Sequence, residues 1–231
     1  MLTIVTWLWT PVNSARSYEP EHVNALCRAV ASNTTIPLRF VCVTDIPHDP
    51  RFEVDTYPLW RGLEKPLRPG DGWDVCWRRL PIFGMAPAAP FGDRIISMDL
   101  DAVVVGNIDD ILLKEGSFVG WNCANRIPLH YNGSLWALDM GAHPEVWTSF
   151  DPERTPNQLR AKKFIGTDHS QWSDVLGPNM PQWKPQDGVV SYRYHCQKGL
   201  PKHARIVFFH GKEKPWTVEE AWCREHYQGT T

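Results

Sequence analysis

Three segments at the start of the chain constrain its fold more than anything that follows. Leu2 to Trp9 is an apolar run rich in β-formers, and Leu38 to Thr44 (LRFVCVT) is a second one. Between them, from Pro20, the residues Val23, Leu26, Cys27, Val30 and Ala31 fall on one helical stripe. Strand, amphipathic helix and buried strand make a βαβ opening, which calls for a parallel sheet covered by helices. Arg51 to Thr56 adds a short strand, and the turn-rich stretch Trp60 to Trp73 (WRGLEKPLRPGDGW) reads as a loop. Val75 to Met85 reads as a short helix interrupted near Pro81. Arg94 to Met98 is a strand that ends in acids, followed by a second apolar run and a short helix capped by Asn107 or Asp109. Further strands are expected at Ser117 to Trp121, Ser134 to Leu138 and Ile206 to Phe209, and helices at Pro144 to Phe150, Asp168 to Leu176 and Val218 to His226. No repeat or linker divides the 231 residues, so one α/β domain is expected.

Composition narrows the function. With 24 basic and 26 acidic residues there is no global field to gather nucleic acid or anionic membrane. The apolar start lacks a basic leader and a cleavage site and is ended by Pro11, so it reads as a strand rather than a signal peptide or a membrane span. The six cysteines are dispersed, with no C-x-x-C pair, and read as reduced residues of a cytoplasmic protein. Twelve tryptophans are more than core filling asks for and suggest flat platforms for a base or a sugar.

The chemistry gathers at Ser97-Met98-Asp99-Leu100-Asp101, because side chains at i and i+2 of an extended chain share a face. Two carboxylates at a strand's carboxyl end suit a hard cation such as Mn2+ or Mg2+, or else they cap a turn. Far along the chain, Phe208-Phe209-His210-Gly211-Lys212-Glu213-Lys214-Pro215-Trp216 follows an apolar strand. It combines an imidazole, a glycine turn and a lysine able to face a phosphate. G-x-S-x-G, H-E-x-x-H, the dinucleotide fingerprint and a phosphate-binding G-x-x-x-x-G-K-[ST] loop are all absent.

These blocks, MDLDAVVVGNIDDIL (Met98 to Leu112), YNGSL (Tyr131 to Leu135), GTDHSQWS (Gly166 to Ser173) and HGKEKPW (His210 to Trp216), resemble the glycosyltransferase family 8 enzymes in content and order. That family includes glycogenin and bacterial lipopolysaccharide hexosyltransferases. The resemblance implies the GT-A nucleotide-diphospho-sugar transferase fold, a mixed, mostly parallel sheet flanked by helices. It also implies a nucleotide and metal half over residues 1–113, and an acceptor half with the C-terminal motif over residues 114–231. The implied activity is metal-dependent transfer of a hexose from a UDP-sugar, with retention, to a glycan, lipid-linked saccharide or protein. The alternatives are a nucleotide-sugar or glycan binder without turnover, a hydrolase, and a transferase using another nucleotide sugar.

By the same resemblance Asp99, Asp101 and His210 are metal ligands, Asp99 also reaching the donor, while Gly211 and Lys214 clamp the diphosphate. Arg79, or its neighbour Arg78, contacts the donor. Thr6 to Trp9 with Tyr18 lies where the family holds uracil and ribose, so Trp7, Trp9 and Tyr18 are either base platforms or core. Asn132 contacts the sugar, although N-G-S stands here where the family has N-S-G. Asp168 either meets donor hydroxyls and the anomeric carbon or caps a helix, with His169 in place of an amide. Asp139 and Asp168 are the acids to test as nucleophile or stabiliser, same-face attack by the acceptor being favoured. His195-Cys196 reads as a structural pair.

Overall fold

The computed structural model describes residues 1–10, 18–63, 74–122, 128–164 and 167–227. Most of the expected Trp60 to Trp73 loop, part of the Trp121 to Tyr131 segment, Cys123 and Gly166 lie outside them.

The opening unit forms as its pattern dictates. β1 (Leu2–Leu8), α1 (Pro20–Ser32) and β2 (Leu38–Thr44) make a parallel pair with a crossover helix, Leu2 opposite Leu38 and Leu8 opposite Thr44. Val23, Leu26, Cys27 and Val30 are buried on the helix stripe, whereas Ala31 is exposed. β3 (Asp55–Pro58) pairs parallel to β2 and begins later than expected. The Asn24 side chain holds Arg51 O at 2.8 Å and Glu53 N at 3.0 Å, which fixes residues 51–53 against α1 instead of in the sheet.

β4 (Arg94–Met98) lies on the other side of β1, followed by β5 (Ala102–Val104) and α2 (Asp109–Leu112), where Asn107 Oδ1 accepts from Asp109 N. The chain continues through β6 (Phe118–Asn122), β7 (Tyr131–Asp139), α3 (Glu145–Thr148), α4 (Thr155–Ala161) and α5 (Asp168–Leu176). It ends through β8 (Gln182–Trp183), β9 (Val189–Ser191), α6 (Tyr192–His195), β10 (Ile206–Phe208) and α7 (Ala221–His226). A 3-10 segment over Asp74–Gly84 contains Pro81, in keeping with the interruption expected there.

The seven-stranded sheet has the order β3-β2-β1-β4-β7-β6-β8, antiparallel at β4-β7 and β7-β6 and parallel elsewhere. A three-stranded sheet, β5-β10-β9, stands beside it, with β10 antiparallel to β5 and parallel to β9. Asp99, Leu100 and Asp101 are the crossover between the two. Asp99 N donates to Ser134 O at 3.0 Å on one side, and Phe209 N donates to Asp101 O at 2.9 Å on the other.

Alternation along β1 sends Ile4 and Leu8 into a core with α1, and Val5 and Trp7 into a core with Trp77, Trp136 and Trp172 on the opposite face. Among the eleven described tryptophans, Trp7, Trp77, Trp121, Trp136, Trp172 and Trp183 are buried. Five of these pack away from any cleft that gathers the site acids, and Trp121 alone of the six also borders the cleft described below. Their rings meet other aromatics, as in Trp77 with Phe150 at 4.7 Å and Phe83 with Trp136 at 5.3 Å between centroids. Among the described residues no helix is long and apolar enough to cross a membrane.

Candidate active site

The parallel strands β1 and β4 end at one edge of the large sheet. β7 runs antiparallel to β4, with Leu135 opposite Met98, so its first residues, Asn132, Gly133 and Ser134, arrive at that same edge. The N-terminus of α5 brings Asp168, and the ends of β9 and β10 bring Ser191 and His210. These residues, with Arg79, Asp99, Asp101, Gly211 and Lys214, line a cleft of about 520 Å³. A cleft of about 640 Å³ lies against β8, with Asp187 the one acid among its described lining residues, so the first cleft gathers more of the acids and bases singled out by the sequence.

Arg79 organises the cleft. Its Nε donates to Asp168 Oδ2 at 2.6 Å, and its Nη1 to Asp99 Oδ1 at 2.9 Å and Gly133 O at 3.0 Å. Burial opposes its charge, yet Asp168 and Asp99 outweigh that and hold the guanidinium more firmly protonated than usual. Burial pushes the Asp168 carboxyl up against the pull of Arg79. Asp168 does not cap α5: it is the first helical residue, Thr167 is the cap, and Asp168 Oδ1 accepts from His169 N at 2.8 Å. Gly133 explains the N-G-S order. A Cβ there would lie 2.8 Å from Arg79 Nη2 and 3.0 Å from His169 Nδ1, so only glycine lets the guanidinium approach.

A second ion pair stands beside the first. Lys214 Nζ meets Asp101 Oδ2 at 2.5 Å, and the Tyr18 hydroxyl donates to the same oxygen at 3.1 Å. Burial pushes Asp101 up to about 6 against Lys214, and Asp99 adds to the rise. Burial likewise pushes the Tyr18 phenol up, with Asp101 adding, so it stays a donor. Tyr18 meets Trp216 edge-on at 5.5 Å, and Gly211 turns the intervening loop at φ +88°, in the left-handed region that favours glycine.

The expected residues do not all converge. Asp99, Asp101, Arg79, Asn132, Asp168, His210, Gly211 and Lys214 line one cleft and Tyr18 touches it. Arg79, not Arg78, is the residue there. Thr6 and Trp7 are buried in β1 and do not line the cleft; Trp7 Nε1 donates to Ser97 Oγ at 2.8 Å and its ring lies among Trp9, Trp60 and Trp136. Both pack in the core, apart from the cleft. Asp139 also stands apart from the cleft. It ends β7 opposite Arg94, at the far edge of the sheet, and pairs with the Arg94 guanidinium. Asp139→Asn is accordingly expected to leave donor turnover unchanged and to cost about 0–1 kcal/mol in thermal denaturation, since this pair is half exposed. A loss of turnover would return Asp139 to the site.

Among the described residues, no three His, Cys, Asp or Glu side chains form a group able to hold a metal. Asp99 already has Arg79, Asp101 has Lys214, and His210 stacks on Trp121 at 5.1 Å. Arg193, Tyr194 and His195 of α6 line the cleft too. The sequence gives no sign of Arg193 and Tyr194, and offers His195 only as half of a structural pair with Cys196, because a single helical turn after a three-residue strand has no periodicity to detect.

No family model matches this chain, and no curated protein does. Solved structures do match. The galactosyltransferase LgtC, solved with donor and acceptor sugar analogs, is 9% identical at a TM-score of 0.59, covering 94% of this chain and 90% of that one. The glycosyltransferase GlyE of Streptococcus pneumoniae is 11% identical at 0.60, covering 96% of this chain and 58% of that one. The bifunctional glycosyltransferase WbbM is 10% identical at 0.58, with 94% of this chain and 47% of that one covered. The fold is thus the mixed α/β GT-A fold, its mostly parallel sheet flanked by helices.

Proposed function

We propose that the chain is a glycosyltransferase of the family 8 kind, moving a hexose from a UDP-sugar to a glycan, lipid-linked saccharide or protein acceptor with retention. The observation that carries this reading is the pairing of Asp99 and Asp168 with Arg79, and of Asp101 with Lys214, in one cleft at the strand ends of this fold. Glycosyl transfer separates charge, the nucleoside diphosphate leaving negative while the anomeric carbon becomes oxocarbenium-like. Lys214 is placed to meet the leaving diphosphate as a fixed cation, and the Gly211 turn gives the backbone room beside it. Asp168, oriented by Arg79, faces the positive anomeric carbon or the sugar hydroxyls, and Asn132 borders the same space. Tyr18, with Trp216 beside it, marks the nucleoside side.

A divalent cation, Mn2+ or Mg2+, belongs to the proposal. Asp99 and Asp101 as they stand offer it no preassembled seat, since Asp99 is paired with Arg79 and Asp101 with Lys214.

The test is thermal shift across nucleotide sugars with and without Mn2+, followed by UDP release. UDP-hexoses at a hundredfold excess over Kd are expected to add about 2.7 kcal/mol, roughly 5–10 °C for a domain of this size, and to release UDP. A shift without release would make the protein a binder. A shift with GDP-sugars alone would overturn the donor assignment, and no shift with any nucleotide sugar the whole reading.

A further inference from the structure

We propose that α6 is the acceptor wall of this cleft and that it selects a saccharide bearing an anionic group, a carboxylate or a phosphate. The proposal rests on the transferase reading and adds to it the side from which the acceptor enters and the chemistry that recognises it.

In the order β5-β10-β9, α1 lies against the β5 edge, and Tyr18, two residues before α1, reaches Asp101 from that side. α6 grows directly out of β9, the opposite edge. Two strand spacings, about 10 Å, separate the edges, and Asp101, with its partner Lys214, stands at the head of β5 on the Tyr18 side. A nucleoside on the Tyr18 side therefore leaves the α6 side for the second substrate.

Tyr192 anchors the turn: its ring stacks on Phe209 at 4.3 Å and 14°, and its hydroxyl donates to Glu220. The next three residues, Arg193, Tyr194 and His195, are exposed and line the cleft. Ser191 N donates to His195 Nδ1 at 2.9 Å, so in the neutral ring Nδ1 is the acceptor and the proton sits on Nε2. Arg193 offers five N–H donors and no acceptor. Arg79 and Lys214 are both held by carboxylates, whereas Arg193 makes no ion pair among the described residues. A face of fixed donors around an uncompensated guanidinium matches a carboxylate or phosphate.

Tyr194 supplies the apolar part. Of the three large hydrophobic side chains most exposed among the described residues, Met1 and Leu113 lie by Arg94 at the far end of the large sheet. Tyr194, 50% exposed, lines this cleft with the Arg193 guanidinium 5.7 Å from its ring centroid. A flat ring beside an arginine suits a sugar ring beside its acidic substituent.

The experiment presents the UDP-loaded protein to an array of neutral, uronic-acid, sialylated and phosphorylated glycans, in parallel with the UDP thermal shift. Wild type is expected to retain acidic glycans at least about tenfold over neutral ones, the worth of one charge-assisted hydrogen bond. The carboxylate and phosphate arms show which anion is preferred. Arg193→Gln is expected to abolish that preference and Tyr194→Ala to weaken retention of all glycans, with the UDP shift retained in both. Retention of neutral glycans, no retention at all, or an Arg193→Gln variant that keeps the preference overturns the proposal. So does an Arg193→Gln variant that loses the UDP shift, because its anion is then the donor's diphosphate. Absence of a UDP shift in wild type strikes the transferase reading itself.

Discussion

Arg79→Met is expected to lower the stability of the protein by about 3–5 kcal/mol, the loss that follows when one partner of a buried ion pair is removed. The guanidinium is 7% exposed and the Asp168 side chain 1%, so methionine would leave a carboxylate sealed from water with no counter-ion. Asp99, at 33%, can turn to solvent and suffers less. Gly133 O would also lose its donor. Lysine is no substitute, because a single ammonium cannot reproduce a planar fork that reaches Asp168 through Nε and Asp99 through Nη1. Arg79→Met/Asp168→Leu separates charge from shape: with both charges gone, most of the lost stability is expected to return while donor turnover stays absent. Urea denaturation of the single and double variants measures both outcomes. A single-variant loss below about 1 kcal/mol would show that water reaches Asp168 and that the pair is not the framework of the cleft.

That framework was partly legible in the sequence. α5 starts at Asp168 and β2 spans Leu38–Thr44 as their patterns dictate, because long periodic elements carry their own signal. Asp99 and Asp101 stood out by their spacing, yet the reason they share a cleft differs from the one the spacing gives. β4 stops at Met98, and the acids occupy the passage from one sheet to the other. β8, β9 and α6 are two to four residues long and are held by neighbours distant in sequence, so no local pattern announces them. The place of Asp139 was not legible for the same physical reason: an acid at the end of an apolar run looks alike whether its strand runs parallel or antiparallel, and only the pairing with β4 shows that it lies at the other edge. The burial of the tryptophans was not legible because composition counts rings without saying which face of the sheet they lie on.

Asp101→Asn is expected to lower donor turnover by at least about a hundredfold, the scale of losing one preorganised charge contact, and at the same time to make the free protein more stable. Asp101 sits at about 6 because burial outweighs Lys214, whereas in the unfolded chain an aspartate titrates near 3.9. The folded state therefore holds more protons than the unfolded state between these values. On this group's account wild-type stability is full below about pH 4 and is lost as the pH rises through 6. Asparagine keeps the shape and does not titrate. The variant's advantage should be absent near pH 4, grow up to pH 6 and level off at no more than about 3 kcal/mol. Lys214, 21% exposed, can turn its ammonium to water once its partner is neutral. Thermal denaturation of both proteins from pH 4 to 8 measures the difference. A variant less stable than wild type at pH 8 would mean that the Asp101–Lys214 pair stabilises the fold outright. A site residue held at a cost to stability in the free protein is what a binding function selects, since its charge is offset only when substrate arrives.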